Sequence, residues 1–244
     1  MHSARKLATA LAAAMVSVFA ARGAPSAELL DLAARVHYGY YHAEPRTIDA
    51  ALGALERLGN SPEVAYYRDF AALRLAQLGG TDRTSRARLT ACAARDVAAR
   101  VEKRFAAEAW VLVAACAEAA GDDRRREQAL ANARGHDDDN PRIALVEAWA
   151  LARQAGDDTA ASAAVARKLS AVVAAFDAWS PSIDDPDWGH AEALTALAAR
   201  VLARGEVRVA RDLIERSLLL VPDYRAAVEL RVALQGARAG ERAP

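Results

Sequence analysis

The chain has 244 residues, of which 53% are hydrophobic but only 6% aromatic, and its 32 basic residues equal its 32 acidic residues in number. A composition rich in alanine and leucine favours packed α-helices over a β-rich core. The lack of a basic excess argues against nucleic-acid binding, which requires a positively charged surface.

The N-terminal segment has the pattern of a secretory signal peptide. Arg5 and Lys6 precede a long uncharged apolar run, and small residues then allow cleavage near Ala20 to Gly23. Cleavage would remove three basic residues and no acidic one, which leaves 29 basic and 32 acidic residues. We therefore predict a signal peptide at 1–23 and a periplasmic or secreted mature chain that does not insert into a membrane. An uncleaved N-terminal anchor is the alternative.

Apolar residues recur at helical spacing through the rest of the chain, and glycine or proline residues separate the periodic segments. Start signals such as Ser61-Pro62 and stop signals such as Gly79-Gly80 set the bounds. The predicted helices span 28–41, 46–58, 62–78, 85–101, 104–120, 124–134, 141–155, 159–178 and 224–236, with two more between 191 and 221. We expect residues 237–244 to form a disordered tail.

The clearest unit is 191–224, which predicts two helices joined by a turn at Gly205 and stopped at Pro222. Its spacing resembles the tetratricopeptide repeat, a 34-residue helix–turn–helix unit. Leu194 and Val201 stand where that family has its signature tryptophan and tyrosine. The matching positions are Leu197-Ala198, Gly205, Ala210, Ile214, Ser217 and Pro222.

The resemblance implies an all-α fold, a right-handed α-solenoid over 24–236 with about five antiparallel helix pairs and a C-terminal capping helix. Two short helices cannot bury both their faces alone, so at least three stacked pairs are needed for stability. The predicted first helices begin at spacings of 33 to 48 residues, so the repeats are degenerate.

In such a stack the first helices line a concave groove. The register set by the turn glycines points a mixed set of side chains into it: Tyr66, Asp69, Val111, Glu118, Val146, Arg153 and Thr195. One arginine and two acids do not supply the clamp for a peptide carboxylate that the resemblance would imply. A mixed, mildly apolar groove suits a helical or extended peptide segment.

Three functions are compatible with this pattern. The first is an exported, non-catalytic scaffold or adaptor that binds another protein or a peptide. The second is a small-molecule-binding or transport accessory protein, with a pocket between helices lined by aromatic residues: Tyr66, Tyr67, Trp110 and Trp149. The third is an all-α hydrolase, which would need convergent acidic groups in one cleft.

The two cysteines, Cys92 and Cys116, fall on predicted neighbouring helices of successive pairs. An even number of cysteines in an exported chain allows a disulfide, which would join two adjacent units. Two separate buried thiols are the alternative.

No sequence motif indicates a catalytic residue, a metal site or a cofactor. The segment 136–140, HDDDN, lacks the glycine and distal glutamate of an EF-hand, so we interpret it as a turn with helix capping by Asp139 or Asn140. The acidic loop 184–187 receives the same interpretation. The aromatic cluster over 37–42, HYGYYH, is interpreted as a partly exposed packing patch or a partner-contact surface.

Overall fold

The computed structural model describes residues 26–80, 82–97, 103–156, 158–180 and 186–240. Eleven α-helices and no strand occur within these ranges, so the all-α prediction is confirmed for them. The helices are α1 Ala27–Tyr41, α2 Pro45–Leu55, α3 Pro62–Gln77, α4 Arg83–Ala93, α5 Lys103–Ala120, α6 Asp123–His136, α7 Pro141–Ala155, α8 Thr159–Ala178, α9 His190–Ala203, α10 Val207–Leu220 and α11 Arg225–Gly240. The predicted signal peptide, residues 184–185 of the acidic loop and the last four residues lie outside the described residues.

Local sequence signals account for most helix ends. The side chains of Ser61, Asn140 and Asp158 each accept a hydrogen bond from a backbone N–H in the first turn of the helix that follows. Gly205 has a φ of +78°, which ends α9 at little steric cost. The predicted turn at Gly205, the stop before Pro222 and the capping role of Asn140 are confirmed.

Four helix ends differ from the prediction. α2 ends at Leu55 rather than 58, α6 continues through Gly135, and α11 extends four residues past 236. α4 ends at Ala93, although the apolar pattern predicts a helix to 101. The carbonyl oxygens of Ala93 and Arg95 accept hydrogen bonds from the Arg125 guanidinium at 2.8 and 2.7 Å. A side chain from α6 thus satisfies carbonyl groups that a longer helix would have paired internally.

Helices that follow one another in the chain pack together, and several odd-numbered helices also contact the next odd-numbered helix. The latter contacts are α1 with α3, α3 with α5, α5 with α7, and α9 with α11. One large apolar cluster runs through helices from α1 to α11, and a smaller one joins Tyr41, Ala191, Tyr224 and Ala227. No helix among the described residues is both long enough and apolar enough to cross a bilayer.

The two cysteines form a disulfide between α4 and α5, with their Cα atoms 5.9 Å apart. Both residues are fully buried. Of the two alternatives that the sequence left open, the structure therefore has the disulfide, and the bond joins two neighbouring helices.

Candidate functional site

A buried ion pair connects two helices that are distant in the sequence. Arg74, in the last turns of α3, donates to a carboxylate oxygen of Glu192, in the first turn of α9. Neither side chain is more than 4% exposed. The other oxygen of Glu192 accepts from the backbone N–H of Gly189 at 2.8 Å and from the Tyr41 hydroxyl at 3.3 Å. Glu192 therefore caps its own helix and also joins α9 to α1 and α3.

Three aromatic rings surround the guanidinium of Arg74. Its central carbon lies 3.9 Å from the ring centre of Tyr40, 4.7 Å from that of Phe70 and 5.4 Å from that of Trp188. Such cation–π contacts stabilise a desolvated guanidinium, although the ion pair with Glu192 supplies its counter-charge. Burial lowers the pKa of Arg74, but the Glu192 carboxylate and neighbouring tyrosines outweigh this effect and raise it.

The same surroundings set the protonation of nearby groups. Burial, and then the charge of Arg74, lower the pKa of His37 to about 4, so its imidazole is neutral at pH 7. Burial raises the pKa values of Tyr40, Tyr41 and Tyr224, so their hydroxyls stay protonated and can donate hydrogen bonds.

A second buried arginine fixes the segment that precedes α9. The guanidinium of Arg142, at the start of α7, donates to the carbonyl oxygens of Trp188, at 2.8 Å, and Pro186. It also donates to the Glu108 carboxylate of α5 at 2.9 Å. The Trp188 indole then donates to the Tyr66 hydroxyl at 3.0 Å. These bonds hold the Trp188 ring beside Arg74.

Next to the ion pair lies an open cavity of about 580 Å³. Its walls come from the odd-numbered helices α1, α3, α7, α9 and α11 and from the residue that precedes α11. The lining residues are Tyr40, Gln77, Trp149, Glu192, Thr195, Ala196, Ala199, Tyr224, Ala226, Glu229, Leu230 and Ala233. The volume lies within the 300–1,000 Å³ of typical ligand pockets. We take this cavity, hereafter the inner cavity, as the candidate site.

A smaller cavity of about 230 Å³ lies beside Trp188, between Arg142, Phe176, His190 and Leu220. Two of its polar groups, the guanidinium of Arg142 and the imidazole of His190, lie beside partners within the chain. The imidazole of His190 lies 3.2 Å from the Asp177 carboxylate, and the bonds of Arg142 are those described above. We therefore regard this cavity as the weaker candidate.

The residues predicted to line a groove are mostly buried and have partners within the chain. Asp69 pairs with Arg95, Glu118 pairs with Arg126 and Arg153, and Thr195 exchanges a hydrogen bond with Ser217 at 2.8 Å. Val111 and Val146 are in the core, and Tyr66 contacts Trp188 as described. Only Thr195 of the seven lines the inner cavity, and only Arg153 is exposed. Their part in binding stays a prediction.

The aromatic residues predicted for a small-molecule pocket also separate. Trp149 lines the inner cavity and stacks on Trp188, whereas Trp110 lies under the guanidinium of Arg125. The aromatic cluster over 37–42 packs mainly inward. Within it, Tyr41 is buried against Tyr224, and Tyr38 remains half exposed.

Sequence reasoning missed Arg74, Glu192, Gln77 and Tyr224. A usable clue was present for Arg74, because the segment 70–76, FAALRLA, contains no other polar residue. A long cation on such a helix has no polar face to occupy and requires a buried partner. Nothing local identifies Glu192 as that partner, because 118 residues separate the two.

No known family model, characterised protein or solved structure matches this chain.

Proposed function

We propose that this chain is an exported, non-catalytic adaptor that binds a short segment of another protein in the inner cavity. The observation that carries the proposal is the composition of the cavity walls. Every lining residue that the structure describes belongs to an odd-numbered helix or, for Tyr224, directly precedes one. In a stack of helix pairs the first helices share one side, and that side is where helical-repeat proteins bind extended segments.

The proposal includes a right-handed, tetratricopeptide-like α-solenoid of five degenerate antiparallel pairs, with α11 as the capping helix. Two sets of contacts support it. Each helix packs on its neighbours in the chain, as hairpins do, and odd-numbered helices also pack on one another from α1 to α7 and between α9 and α11. The Arg74–Glu192 pair would then tie the second pair to the fifth and curl the stack round the inner cavity.

Export is supported by the signal-like N-terminus and by the disulfide. Disulfides persist in oxidising compartments such as the periplasm or the extracellular space and are rare in the cytosol. The Cys92–Cys116 bond is fully buried, as expected of a structural rather than a catalytic disulfide.

Site-specific photo-crosslinking in the cell envelope of the native host tests the binding role. In the test variant, a benzophenone amino acid replaces Glu229, which lines the cavity. In the control variant it replaces Val232, which lies on the same helix and is 60% exposed but does not line the cavity. We expect a specific crosslinked protein from position 229 and none from position 232. Equal labelling at both positions, or none at either, would refute the assignment of the cavity.

A small-molecule-binding or transport accessory role is the second candidate, because the cavity volume also suits a compact ligand. Native mass spectrometry of the protein purified from its host separates the two. A constant non-covalent mass that disappears on unfolding, together with no crosslinked protein, would favour the small molecule.

A further inference from the structure

The charged groups that line the inner cavity are already neutralised. Among the described residues, two carboxylates, of Glu192 and Glu229, contribute to the wall, and no lysine, arginine or histidine does. Glu192 is paired with Arg74 beneath the wall, and Glu229 is paired with Arg225 at 2.6 Å on the exposed surface of α11. A ligand therefore meets no uncompensated charge of either sign.

This balance disfavours a charged ligand group. Such a group loses its hydration on entering and gains no counter-ion in return. A cation would have to share the Glu192 oxygens with Arg74, Tyr41 and Gly189, which already occupy both. An anion would face the two carboxylates.

The remaining wall is largely apolar or aromatic. Trp149 and Leu230 provide the largest apolar side chains, the rings of Tyr40 and Tyr224 lie close to each other at one side, and alanines fill the space between: Ala196, Ala199, Ala226 and Ala233. Alanine side chains leave room where larger ones would close the cavity, so the site can accept a bulky apolar group.

The side-chain amide of Gln77, in the wall of the cavity, is held by one hydrogen bond and can still form others. The amide oxygen of Gln77 accepts a hydrogen bond from Arg74 at 2.7 Å, which fixes the amide and assigns its nitrogen. That nitrogen has no acceptor among the described residues. Since Gln77 lines the cavity, its N–H group is placed to donate to a carbonyl oxygen of the ligand.

We propose that the inner cavity binds an uncharged peptide segment with a large apolar side chain, and that Gln77 donates to a backbone carbonyl of that segment. This inference rests on the proposed function and specifies its partner. The walls supply the apolar contacts, and the amide that Arg74 holds supplies a directional hydrogen bond.

Three capped tripeptides test the charge rule: acetyl-Ala-Xaa-Ala-amide with Trp, Lys or Glu at the centre, titrated into the ¹⁵N-labelled oxidised protein and followed by NMR. We expect saturable shifts with the Trp peptide and binding at least about tenfold weaker for the Lys and Glu peptides. Tighter binding of a charged peptide would overturn the inference and leave cavity binding intact.

Two bulky substitutions on one helix localise the site. Ala233→Trp fills the cavity and should abolish binding of the Trp peptide, whereas Val232→Trp, at a residue that does not line the cavity, should leave it unchanged. If no peptide binds, or if binding survives Ala233→Trp, the cavity is not the site, and the proposed function fails together with the inference.

A final comparison separates a peptide from a free small molecule. Gln77→Leu should weaken the Trp peptide by about fivefold, the value of one hydrogen bond, and should leave 3-methylindole, which has no backbone, unaffected. If 3-methylindole binds as tightly as the peptide and Gln77→Leu changes neither, the ligand is a free apolar molecule and the peptide assignment is wrong.

Discussion

Replacing Glu192 by glutamine should destabilise the fold strongly. The substitution keeps the size of the side chain but removes the one counter-charge that fully buried Arg74 has among the described residues. It also replaces one carboxylate oxygen by an NH₂ group. Because both oxygens accept hydrogen bonds, at least one accepted bond is lost whichever oxygen is replaced. Breaking a buried pair on one side costs about 3–5 kcal/mol. That is a large share of the 5–15 kcal/mol by which domains are typically stable.

Urea unfolding of the oxidised protein, followed by circular dichroism, measures this cost. Glu229→Gln is the matched control, because it breaks a carboxylate–arginine pair whose side chains are more than 60% exposed, and we expect it to cost less than about 1 kcal/mol. The double variant Arg74→Met with Glu192→Gln removes both buried charges and should recover more than half of the loss. Equal costs for Glu192→Gln and Glu229→Gln would refute the role assigned to the buried pair.

Three further outcomes follow from single contacts. Replacing both Cys92 and Cys116 by alanine should lower the free energy of unfolding by about 3 kcal/mol, because the bond closes a loop with a sequence separation of 24; a loss below 1 kcal/mol in urea unfolding would contradict this. Stability should fall as the pH decreases from 6.5 toward 4, because the pKa of His37 is about 4 in the folded state and 6.5 in the unfolded state, so the unfolded chain binds the proton first. The full loss of unfolding free energy is about 3 kcal/mol. If the unfolding midpoint of His37→Phe declines with decreasing pH as steeply as that of the parent protein, His37 is not the cause. Gly189→Ala should lower the thermal midpoint by several degrees, because φ is +105° and the added Cβ would lie 2.7 Å from Phe176; Gly121→Ala, with a positive φ but no such neighbour, isolates the backbone share of this effect.

Local chemistry makes most of the helices readable from the sequence. Ser61-Pro62 and Asn140-Pro141 combine a capping side chain with a proline in the first turn, and both mark true helix starts. Helix ends set by distant side chains are different. The apolar pattern of α4 continues past Ala93, and only the position of Arg125 in the fold explains why the helix stops there.

The candidate site depended on contacts that no local pattern encodes. The helical register predicted which residues line a groove, and two of them, Val111 and Val146, are buried in the core. The interior between these helices is also shaped by two long-range contacts. Arg74 pairs with Glu192, 118 residues away in the sequence, and Tyr41 packs against Tyr224. These contacts depend on the complete fold, so no local pattern in the sequence could predict them.

The most direct test of the inner cavity as a binding site is nuclear Overhauser spectroscopy on protein with labelled alanine and leucine methyl groups and the unlabelled Trp tripeptide. We expect contacts from the indole protons to the methyl groups of Ala196, Ala199 and Ala233. Contacts confined to Leu219, which is 82% exposed on α10, or no contacts at saturating peptide, would contradict the assignment.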